Sequence, residues 1–67
     1  MTNYLFWDVL NNESMGLISL PKKPEIGDII TYGFIRSKPS TRWEVLGYNE
    51  EYILAVLESG KKYLTPA

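Results

Sequence analysis

Pro24-Glu25-Ile26-Gly27-Asp28-Ile29-Ile30-Thr31-Tyr32-Gly33-Phe34-Ile35 opens the stretch that decides the fold. A basic segment follows, then Trp43-Glu44-Val45-Leu46-Gly47-Tyr48, a polar turn, and Tyr52-Ile53-Leu54-Ala55-Val56-Leu57-Glu58. These runs are short, apolar, and rich in β-branched and aromatic residues, and turn formers separate them. That pattern predicts strands. Ile26-Gly27-Asp28 reads as the turn into the first of them. Gly27 supplies a positive φ, and the Asp28 carboxylate accepts bonds from nearby backbone N–H groups.

Working outward, Tyr4-Leu5-Phe6-Trp7-Asp8-Val9-Leu10 also reads as strand. One of its faces, Leu5/Trp7/Val9, is wholly apolar and is the expected core face. The other carries Asp8. Asn11–Gly16 is turn-rich, Leu17-Ile18-Ser19-Leu20 is a short strand, and Pro21-Lys22-Lys23-Pro24 ends it. Ser59-Gly60 is read as the last tight turn and Lys61-Lys62-Tyr63-Leu64 as the last strand. Residues 65–67 form a tail.

Five or six short strands without a convincing helix predict an all-β chain: one domain over residues 1–67, built as a small, strongly bent antiparallel sheet or barrel. In a chain of 67 residues nearly every large apolar side chain must find cover, in the core or against another chain. The two Trp, five Tyr and two Phe are the main supply. Trp43 is expected inside.

Gly27-Asp28-Ile29-Ile30, followed about fifteen residues later by Trp43-Glu44-Val45 and a strand-turn-strand, resembles small SH3-like barrels of the Tudor and related kinds. The resemblance covers about half the chain. It implies a bent barrel, with an OB-like barrel as the alternative.

Composition narrows the chemistry. There is no histidine and no cysteine. That removes the commonest general base, the thiol nucleophile, disulfides and most zinc ligation. No phosphate-binding glycine motif is present. The expectation is a non-enzymatic protein without a catalytic site, cofactor or metal. With no apolar run of membrane-spanning length and no leader pattern, it is expected to be soluble and cytoplasmic, away from membranes.

Two binding readings follow. Arg36-Ser37-Lys38-Pro39-Ser40-Thr41-Arg42 is a basic loop in which Arg36, Lys38 and Arg42 could contact nucleic-acid phosphates. The net charge of −1 tells against broad attraction to polyanions. The favoured reading comes from a hairpin closed by Asn49-Glu50-Glu51. It pairs Trp43 with Leu57, Val45 with Ala55 and Gly47 with Ile53 on a charge-free, inward face. Glu44 with Val56, Leu46 with Leu54 and Tyr48 with Tyr52 then point outward. Leu46, Tyr48, Tyr52, Leu54 and Val56 would form an exposed apolar patch. Either the N-terminal strand or the C-terminal tail folds over it, or it binds a protein partner or a second copy of the chain.

Overall fold

A computed structural model of the protein describes residues 1–32 and 41–64. Five strands form one sheet: β1 (Thr2–Asp8), β2 (Glu13–Leu20), β3 (Ile29–Tyr32), β4 (Thr41–Tyr48) and β5 (Ile53–Leu57). A 3-10 helix spans Glu58–Tyr63. The spatial order is β2-β1-β5-β4-β3. The sheet curls through 222° as a half-barrel, so the expected all-β, strongly bent architecture is present.

The pairing departs from the expected all-antiparallel sheet at one seam. Neighbouring strands in sequence form antiparallel hairpins, β1 with β2, β3 with β4 and β4 with β5. β1 and β5 run parallel, with Phe6 beside Ile53, Trp7 beside Leu54 and Asp8 beside Ala55. Val9 N–H continues the seam to the Ala55 carbonyl at 2.9 Å. The β1–β2 hairpin and the β3–β4–β5 meander are thereby joined at mid-sheet. A parallel pair needs a long connection, and here the connection is most of the chain.

Register assigns the faces, because directly opposed residues share one. The inner face buries Phe6, Ile18, Val45, Ile53 and Ala55 in one cluster. Tyr4, Met15, Leu20, Ile30, Tyr32 and Trp43 pack against it, half-buried. Trp43 is therefore on the core side without being enclosed. Its indole N–H donates to Thr41 Oγ1 at 2.7 Å.

The first strand is turned over relative to the expectation. Phe6 and Asp8 face inward and are 0% and 4% exposed, while Leu5 and Trp7 lie on the outer face. The burial of Asp8 has a local cause. Its Oδ1 accepts from the N–H groups of Leu10 (3.1 Å) and Asn11 (3.2 Å), and its Oδ2 from Asn11 Nδ2 (2.8 Å). A carboxylate that ties down the next turn is satisfied where a free one would not be. The turn ends at Asn12, which takes a positive φ of 57°. β2 then begins at Glu13, earlier than expected, and carries an irregularity opposite Phe6/Trp7.

Ile26-Gly27-Asp28 behaves as read. Gly27 has φ 96°, and Asp28 Oδ2 accepts from Glu25 N–H at 2.9 Å. The turn is stitched to β4 by Gly27 N–H to the Val45 carbonyl and Val45 N–H to the Asp28 carbonyl, 2.8 and 2.9 Å.

The end of the chain was expected to be a strand and is the 3-10 helix instead. Glu58 in its first turn and Lys61 and Lys62 in its last complement the helix dipole. Lys61 Nζ reaches both carboxylate oxygens of Glu44, and Arg42 Nε reaches Glu58 Oε1 at 3.0 Å. Gly60 is buried, and a Cβ there would lie 2.8 Å from Leu10 Cδ2. The helix thus lies across β4 and against the β1–β2 turn, an arrangement that a last edge strand could not make.

A candidate interaction face on the outside of the sheet

The outer face is the reverse of the core. Opposed pairs there are Trp7 with Leu54 across the parallel seam and Leu5 with Leu17 across the first hairpin. Tyr52 precedes β5 and sets its ring 5.1 Å from that of Trp7, tilted by 59°. This is a favourable aromatic geometry. Leu5, Trp7, Tyr52 and Leu54 are half-buried and Leu17 is 60% exposed. Together they make an apolar surface across β2, β1 and β5, without a charged side chain among its five members.

The residues expected to form an outward patch are divided by the fold. Tyr52 and Leu54 do lie on this face. Val56 shares it but is 0% exposed. The 3-10 helix begins directly after β5 and is tied back by Lys61 to Glu44, the register partner of Val56. Leu46 sits in a bulge between Val45 and Gly47, where the β4–β5 register shifts. Tyr48 is carried to the inner side by the same shift.

The expected register holds for Trp43/Leu57, Glu44/Val56 and Val45/Ala55. Beyond the bulge Gly47 pairs with Leu54 and Tyr48 with Ile53. The turn explains the change. Asn49 Oδ1 accepts from the N–H groups of Glu51 (3.1 Å) and Tyr52 (2.8 Å), and Asn49 N–H donates to the Tyr52 carbonyl (2.9 Å). A side chain that mimics the backbone closes a loop one residue longer than expected. It also avoids a left-handed Glu51: Asn12 is the sole non-glycine at positive φ among the described residues. Tyr48 donates to the Pro24 carbonyl at 2.6 Å, and Lys23 Nζ lies 4.4 Å from the centre of its ring. Though 40% exposed, it serves to tie the Pro21–Pro24 connection to the sheet.

Leu5 and Trp7 escape the sequence reading as members of the face because Asp8 reads as the solvent side of β1, and Leu17 escapes it because no alternation fixes the face of β2. The signal was present in the Asp8-Val9-Leu10-Asn11 spacing. An aspartate two and three residues before turn N–H groups can be satisfied while buried.

At one end of the face, Asn49, Glu50, Glu51 and Tyr52 line a shallow cleft of about 400 Å³. Among the described residues the ion pairs are Arg42–Glu58 and Lys61–Glu44, so Glu50 and Glu51 enter none. A second shallow cleft, about 270 Å³, is lined by Thr41, Arg42, Leu57, Glu58 and Ser59. Of the basic segment, Arg42 stands in β4 with its guanidinium on Glu58. Arg36 and Lys38 lie outside the described residues, as does the expected continuation of β3 to Ile35.

Among the described residues no three His, Cys, Asp or Glu side chains come together as metal ligands. No helix there is long and apolar enough to cross a membrane. No protein family model matches the chain, and no match was found among curated proteins or solved structures.

Proposed function

We propose that the protein is a non-enzymatic interaction module that docks a protein surface on the outer face of β2, β1 and β5. The observation that carries the proposal is the Trp7–Tyr52 pair with Leu54, Leu5 and Leu17 around it, on the side of the sheet away from the core. Apolar patches of this kind on small domains commonly mark association sites, and aromatic side chains are the usual anchors. The curled sheet accords with an SH3-like scaffold, but a fold hosts many functions and the site has to carry the argument. The reading includes a cytoplasmic setting, which accords with a chain free of cysteine. The competing nucleic-acid reading gains nothing from Arg42, whose charge is already paired.

The test compares the parent protein with Leu17→Glu/Tyr52→Glu and with Lys22→Glu/Lys23→Glu as baits. Circular dichroism melts confirm that each is folded. A protein retained by the parent and by the lysine variant should be lost from the outer-face variant, with affinity falling by tenfold or more, about 1.4 kcal/mol. Equal retention by the outer-face variant would refute the proposal.

A further inference from the structure

The outer face and the Glu50/Glu51 cleft share Tyr52, which sets its ring against Trp7 in one and is a lining residue of the other. An apolar surface therefore leads to two exposed glutamates that enter no ion pair among the described residues. Of the five described basic side chains four are engaged, Lys61 with Glu44, Arg42 with Glu58, Lys23 over Tyr48 and Lys62 over Tyr63, and Lys22 stands on the connection after β2, away from this turn in sequence.

Resting on the docking reading above, we propose that the partner is a protein segment carrying a lysine or arginine between apolar side chains. The cation occupies the Asn49–Tyr52 cleft, against Glu50 and Glu51 and the edge of the aromatic pair. The flanking apolar groups cover Trp7, Leu54 and Leu5. A cation beside both an aromatic ring and a carboxylate gains from each.

Charge decides against the other occupants. A second copy on a two-fold axis would set each acidic lip beside the other copy's outer face, whose five apolar members offer it no cation. A polyanion or an anionic membrane surface is repelled by the same carboxylates.

The experiment titrates the ¹⁵N-labelled protein with two acetylated, amidated tetrapeptides, Leu-Arg-Leu-Tyr and Leu-Glu-Leu-Tyr, at low salt. The arginine peptide should shift the Trp7 indole N–H and the Glu50, Glu51 and Tyr52 amides. It should bind about fivefold tighter than the glutamate peptide, the scale of one or two exposed ion pairs. Glu50→Gln/Glu51→Gln should erase that preference, and so should salt of about 1 M, where charges are screened within roughly 3 Å. Equal binding of both peptides at the outer face would overturn the cationic partner and leave the docking reading standing. Shifts confined to other surfaces, or none at about 10 mM peptide, a concentration well above a millimolar dissociation constant, would also overturn it. The bait comparison then decides the docking reading separately. Dimerisation lost in Leu17→Glu/Tyr52→Glu would replace the cationic partner by a second copy.

Discussion

Phe6→Ala is expected to leave much of the protein unfolded in buffer at 25 °C. Phe6 is fully buried on β1, whose two neighbours are β2 and β5. Its ring is opposed by Gly16 on one side and Ile53 on the other. Gly16 has no side chain to share the space, so removal of the ring leaves a void bounded by Ile18, Val45 and Ala55 of the same cluster. Truncation of a buried phenylalanine costs about 3–5 kcal/mol. A chain of this length has a total stability of roughly 3–10 kcal/mol. The urea midpoint should fall by about half or more. The neighbouring Leu5→Ala is the control. Leu5 lies on the outer face and is half-buried, so its midpoint should move by less than half as much. If Leu5→Ala is the more damaging of the two, β1 is inverted and the inner and outer faces are wrongly assigned.

Asp8→Ala should be the next most damaging change, although it removes a charge from a chain with no excess of base. Three donors converge on the carboxylate, two from the backbone and one from Asn11. Hydrogen bonds to a charged group are worth about 1.5–3 kcal/mol, and a part-buried donor left without a partner adds its own cost. The expected loss is about 3 kcal/mol, or a melting temperature lower by roughly 12–24 °C in a domain of this size. Asp8→Asn keeps one acceptor oxygen for the backbone N–H groups and should recover more than half of the loss. Differential scanning calorimetry of the three proteins separates the cases. An Asp8→Ala protein as stable as the parent would mean that the turn after β1 holds itself without the carboxylate.

The class of fold was legible because it depends on local features: strand-forming runs, turn residues between them, and the Gly27-Asp28 turn whose conformation only a few residues accept. The inner pairing of Trp43 with Leu57 and Val45 with Ala55 was legible for the same reason, since alternation reports which side of a hairpin is apolar. Non-local and side-chain-driven features were not. The parallel seam joins residues separated by most of the chain, and no periodicity encodes it. Asp8 inverted the reading of β1 because its charge was weighed without its turn donors. Asn49 lengthened a loop and moved Tyr48 from one face to the other. Lys61, Lys62 and Tyr63 have a strand-like composition at their end. The Glu44 and Leu10 contacts that favour the helix are tertiary. The candidate face was therefore half legible. Tyr52 and Leu54 were in view, while Trp7, Leu5 and Leu17 came into view only with the seam.

That seam sets Phe6 inside and Trp7 outside and brings Trp7 to Tyr52. Proton–proton nuclear Overhauser effects of the folded protein test it most directly. The Trp7 indole should show strong contacts to the Tyr52 ring and to the Leu54 methyls, with cross-strand backbone contacts between β1 and β5 in a parallel pattern. Strong contacts from the Trp7 indole to the methyls of Ile18 and Val45, with the Phe6 ring free of them, would contradict the account.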